Sequence, residues 1–202
     1  MREQHKIWRL HVCGKRFVGL VTLDSSDYAH FLGQKIEMPW SPPPCEMTGK
    51  SKRLPDFVCW MKPVPVVSER ARNALLVLVR DAVQFLPFHS LRGKPYYALN
   101  VLEMRHNLLD VARSELSRFS TDGRIFDIER AVFREPLPAG LPHIFKLGED
   151  TGDIFVTTAF AELVVEHQLT GVQLLAPTQN ILRLILGREA LNAYPGTPPV
   201  DA

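Results

Sequence analysis

The sequence has no long hydrophobic run, no block of like charges, few cysteines and no glycine-rich loop, and each shortage removes a class of protein. No stretch approaches the ~20 apolar residues that span a bilayer, and Arg2, Glu3, His5 and Lys6 lead into no apolar segment of the kind a secretory signal needs. A cytoplasmic protein with no membrane partner is expected. Cys13, Cys45 and Cys59 are odd in number and widely spaced, which suits neither a disulfide framework nor the close pairs that hold zinc, so reduced thiols are expected. With 24 Lys+Arg against 22 Asp+Glu, spread along the chain, nucleic-acid binding gains no support. Gly14 and Gly19 are too far apart for a dinucleotide turn, and Gly49-Lys50-Ser51 lacks the upstream glycine that lets a backbone wrap a phosphate. No cofactor and no metal are expected.

What is present is apolar material in quantity. At 46% apolar over 202 residues, one sizeable domain can bury on the order of 70% of the surface its unfolded chain exposes. Residues 17–23 read as a strand closed by the turn chemistry of Asp24-Ser25-Ser26-Asp27. Residues 38–55, with Pro42-Pro43-Pro44, Gly49 and three basic residues, read as an extended exposed loop. Trp8, Trp40 and Trp60 suit a core, with Trp40, beside the prolines, a candidate anchor for a partner. Strands are expected at 57–60 and 64–67, followed by a helix capped by Ser68 and running to about residue 84. Residues 85–91 and 96–102 then make a hairpin about Gly93, and further strands fall at 125–133 and 143–147, with Phe126, Ile128 and Val132 on one face. A short strand at 154–156 leads into an amphipathic helix of Phe160, Leu163, Val164 and His167, closed at Gly171 before a strand at 172–175. A last helix is expected near 178–191, before a disordered tail.

The chain thus reads as a single α+β domain, its mixed, mostly antiparallel sheet packed against two or three helices. Its division is a strand and proline-rich loop segment (1–56), a core (57–176), and a C-terminal helix with tail (177–202).

The search for chemistry finds isolated groups. His89-Ser90 lacks the glycine-flanked elbow of a serine nucleophile, and on a strand the two side chains point to opposite faces. His106 and Asp110 have helical spacing but no companion ligands nearby in sequence. Glu149, Asp150 and Asp153 cluster in a glycine-containing loop, off the EF-hand pattern, as a patch that can meet a basic partner. No catalytic constellation emerges, so an enzyme is not expected.

Several segments occur in an order that resembles a known family. They are Met61-Lys62-Pro63-Val64-Pro65, Tyr96-Tyr97-Ala98-Leu99-Asn100-Val101-Leu102, the run from Asp110 through Phe119, Ile144-Phe145-Lys146-Leu147, Phe155-Val156-Thr157 and Leu169-Thr170-Gly171-Val172. Over residues 57–175 the chain resembles bacterial immunity protein eleven. The resemblance implies an immunity protein of a polymorphic toxin system, which neutralises a cognate toxin by stoichiometric binding. It supplies no contact residues, leaving Glu149, Asp150 and Asp153 as the candidates for the partner surface. Two alternatives come from other classes: a small-molecule-binding or hydrolytic domain drawing on His89, His106 and Asp110, and a self-associating scaffold.

Overall fold

The computed structural model describes residues 7–12, 18–23, 31–37, 39–49, 51, 53–62, 64–180 and 195. In chain order these form β1 (Ile7–Val12), β2 (Gly19–Thr22), β3 (Cys45–Thr48), β4 (Phe57–Met61), β5 (Val64–Ser68), α1 (Glu69–Val79), β6 (Val83–Pro87), β7 (Tyr96–Val101), β8 (Met104–Arg105), β9 (Glu115–Arg118), β10 (Ile125–Arg130), β11 (Ile144–Leu147), β12 (Asp150–Thr157), α2 (Thr158–Glu166) and β13 (Val172–Leu175). The expected single sheet is instead three: a five-stranded sheet β13-β1-β12-β11-β8, a six-stranded sheet β3-β2-β4-β5-β7-β6, and the hairpin β10-β9. Pairing is antiparallel except between β11 and β8 and between β2 and β4. Among the described residues the helices number two, so the protein is mostly sheet.

Each large sheet is apolar on both faces and needs a cover on each, which produces three cores. The central core joins Leu10, Ile154, Val156 and Leu174 of one sheet to Phe57, Val67, Leu99 and Val101 of the other, with Leu75, Phe160 and Val164 from the helices. On the outer face of the six-stranded sheet, Phe31 meets Trp40 and Trp60 edge-on, with ring centroids 5.8 and 5.9 Å away. Trp40 donates its indole N–H to the Pro87 carbonyl at 2.8 Å, so the residue considered as a partner anchor pins its own loop. The outer face of the five-stranded sheet buries Phe145 and Phe155 beneath Ile128 of the β9-β10 hairpin.

Several expectations fail for tertiary reasons. Helix α1 starts as expected, with Ser68 Oγ accepting from the Ala71 amide at 3.1 Å, but it stops at Val79. The next stretch, rich in residues that favour strands, pairs with β7 from Val83↔Val101 to Pro87↔Tyr97. Phe88 still donates to the Tyr96 carbonyl at 2.9 Å, but residues 89–90 leave the ladder, so His89 and Ser90 are not strand neighbours. Within the segment read as a loop, residues 45–48 form β3 along β2. Register shifts in the β9-β10 ladder break the alternation expected of residues 126, 128 and 132: Ile128 is fully buried while Phe126 is 49% exposed. Gln168, at φ +48°, takes the left-handed position after α2 that Gly171 was expected to fill. Gly171 has φ +84° for another reason: a Cβ there would lie 2.2 Å from the Phe57 carbonyl oxygen. Cys13, the turn at residues 24–27, residues 181–191 of the last expected helix, and the tail except residue 195 lie outside the described residues.

Candidate functional site

Strand β1 contains an arginine and a histidine in period-two register, so Ile7, Arg9 and His11 share one face and Trp8, Leu10 and Val12 the other. Leu10 belongs to the central core and Ile7 to the core beneath the hairpin, so Arg9 is aimed toward the hairpin side. Arg9 is 2% exposed. Its guanidinium carbon lies 5.6 Å from the ring centroid of Phe155, its partner across the β1-β12 ladder. Nη1 lies 3.4 Å from Asp153 Oδ2, yet among the described residues no hydrogen bond reaches Nε, Nη1 or Nη2. A buried guanidinium ordinarily spends its five donors on fixed acceptors, because each unmet donor carries a desolvation cost.

The charges around it balance. Lys62, in the turn between β4 and β5, lies 3.2 Å from Asp153 Oδ1 and donates to Asp127 Oδ1 of β10 at 2.8 Å. Beside these groups lies a cavity of about 370 Å³, with Arg9, His11, Cys59, Met61, Asp127 and Ile154 among its lining residues. Burial pushes the His11 imidazole below its ordinary value; Asp153 opposes that shift, and Arg9 and Lys62 add to it. Burial also raises the Cys59 thiol, which makes it a poor nucleophile at neutral pH. A cleft with a few convergent polar groups can orient a small ligand. A second depression, of about 530 Å³ at the end of α1, is lined by Arg80, Asp81, Glu103 and His143 and contains no buried, unbonded charge.

The residues singled out from sequence lie elsewhere, with one exception. His89 Nε2 is 2.8 Å from the Pro43 carbonyl oxygen, in the loop after β6. His106 follows β8 and packs so closely on Gly148 that a Cβ there would lie 2.0 Å from its ring. Asp110 takes part in a tight turn, accepting from the Arg113 amide at 3.2 Å. Glu149 accepts from the Asn107 amide at 3.1 Å, and Asp150 opens β12 opposite Leu147. Asp153 turns into the cleft. Among the described residues no group of three or more His, Cys, Asp or Glu could hold a metal ion. Sequence reasoning passed over Arg9, His11, Lys62 and Asp127; the one available signal was an arginine inside the apolar run of β1.

The profile of the Immunity protein family (Imm11) matches residues 14–177. The chain belongs to the Imm11 family. No curated protein matches it. In this Imm11 protein the matched segment contains Lys62, Asp127 and Asp153 but begins after Arg9 and His11, so the buried guanidinium is added by a strand outside the match. No helix of the described residues is long and apolar enough to cross a membrane.

Proposed function

We propose that this Imm11 protein neutralises a cognate toxin of a polymorphic toxin system by direct, stoichiometric binding in the cytoplasm, without catalysis. The family match over residues 14–177 carries the reading. A stable interface takes about 800 Å² from each partner, a small share of the 11414 Å² of accessible surface here. At a Kd of about 1 nM such binding is worth roughly 12 kcal/mol, enough to keep the toxin occupied at low concentration.

The test is co-expression with the toxin encoded beside this chain, scoring survival and co-purification together. Rescue with a stable complex is expected. Rescue without a complex would point to an enzymatic antidote, and no rescue would sink the reading. The acidic trio is proposed to steer the toxin's approach. Glu149→Lys with Asp150→Lys should slow association several-fold, and an unchanged rate would remove that role. Asp153→Asn is measured separately, because that carboxylate is engaged by Arg9 and Lys62.

A further inference from the structure

We propose that the cleft between β1, the β4-β5 turn and β10 binds a small monocarboxylate with an apolar body, its carboxylate held by the Arg9 guanidinium. This goes beyond toxin neutralisation and does not depend on it.

Arg9 is among the residues lining the cavity and is 98% buried, and its three guanidinium nitrogens, closed to solvent, have no hydrogen-bond partner among the described residues. Asp153 approaches Nη1 at 3.4 Å without hydrogen-bond geometry, leaving the planar fork of donors unused. A carboxylate is the group whose two oxygens match that fork in parallel, and Arg rather than Lys is the residue suited to it. Arg9 packs on the Phe155 ring, which fixes the plane of the guanidinium, and its nitrogens open to a ligand only when the side chains around them part. The remainder of the wall favours an apolar body, with Val12, Met61, Val64, Pro65 and Ile154 among the lining residues.

Charge sets a further condition. Arg9 and Lys62 balance Asp127 and Asp153, so an arriving carboxylate adds one uncompensated negative charge. His11 lines the same cavity and can supply the compensation by taking up a proton. The charged groups acting on it are Asp153 from β12, Arg9 from its own strand and Lys62 from the β4-β5 turn. A bound carboxylate joins Asp153 in favouring the imidazolium, so binding strengthens as the pH falls below neutrality. Lys62, whose side chain is 53% exposed, is placed where a ligand can enter without unfolding the hairpin.

The experiment is calorimetric titration of the full chain with benzoate and hexanoate, alongside benzamide and hexanamide, which keep the bodies and lose the charge. Saturable binding of one carboxylate per chain is expected, with the matching amide weaker by about tenfold or more. Arg9→Met should abolish it. Should that variant fail to fold, Cys59→Trp at the exposed rim tests the same cavity by filling it, and should also abolish binding. No saturable binding of either carboxylate, equal binding of the amides, or binding unchanged in a folded variant would overturn the proposal. Affinity that does not rise as the pH falls would overturn the part assigned to His11.

Discussion

Two buried charges on opposite sides of the central core are treated in opposite ways. Asp56, just before β4, accepts from Ser68 Oγ at 2.8 Å, from the Thr170 amide and hydroxyl at 2.9 Å each, and from the Arg70 guanidinium. Its own amide donates back to Thr170 Oγ1 at 3.1 Å. Burial pushes its carboxyl up, but the bonds from Arg70, Thr170 and Ser68 prevail and hold it below the usual range. The Arg9 side chain is buried more deeply and has no hydrogen bond among the described residues. The first arrangement ties the start of α1 to the loop between α2 and β13, and nothing about it invites a ligand. The second leaves strong donors unbonded in the wall of a cavity, at a cost that a structural role does not explain.

The contrast is testable by breaking each side. Asp56→Ala removes five accepted bonds, two of them from Arg70, and should cost about 5 kcal/mol in urea unfolding, at about 1 kcal/mol per bond. Because the Asp56 pKa is lowered on folding, its contribution is present above the unfolded value near pH 4 and is lost as the pH falls through the folded one. The gap between wild type and variant should therefore close in acid. Gly171→Ala strikes the same loop from the backbone side: the added carbon meets the Phe57 carbonyl and must adopt φ +84°. A cost of about 3 kcal/mol is expected, and a neutral result would show that the loop has slack.

Lys146 stands between the two cases. It is fully buried and donates once, to the Phe31 carbonyl at 2.8 Å, and burial lowers its pKa to about 8. A base whose pKa falls on folding binds fewer protons in the native state, so its charge opposes folding fully below about pH 8 and progressively less up to 10.5. Relative to Lys146→Met, the wild type should gain about 3 kcal/mol across that window. Parallel stability curves for the two proteins would show that the ammonium is better solvated than its burial implies.

These sites also show what a sequence can disclose. Strands β4, β5 and β13 and the start of α1 were legible, because their apolar runs and caps act locally. Residues 83–84 were misread as helix because their pairing with β7 is decided by residues far along the chain. Strands β1, β3, β8 and β9 went unread: they are short or partly polar, and depend on neighbours for their ladders. The cleft was illegible for the same reason. Arg9, Lys62, Asp127 and Asp153 come from four separate elements, and none stands in a motif. His89, His106 and Asp110 attracted notice by residue type, but each is occupied by a contact that no spacing rule foresees.

The smallest stability effect is expected at Arg9, although its side chain is almost wholly buried. Arg9→Met removes a guanidinium that forms no hydrogen bond and substitutes a flexible apolar side chain that can fill the space against Phe155. Asp153 keeps the Lys62 ammonium at 3.2 Å, so its carboxylate is not left alone. The loss of the loose ion pair and the relief of unmet donors act in opposite directions, and the net change should stay within about 1 kcal/mol, far below that of Asp56→Ala. A loss as large as the one at Asp56 would mean that Arg9 supports the fold, and the distinction between a structural charge and one reserved for a ligand would fail.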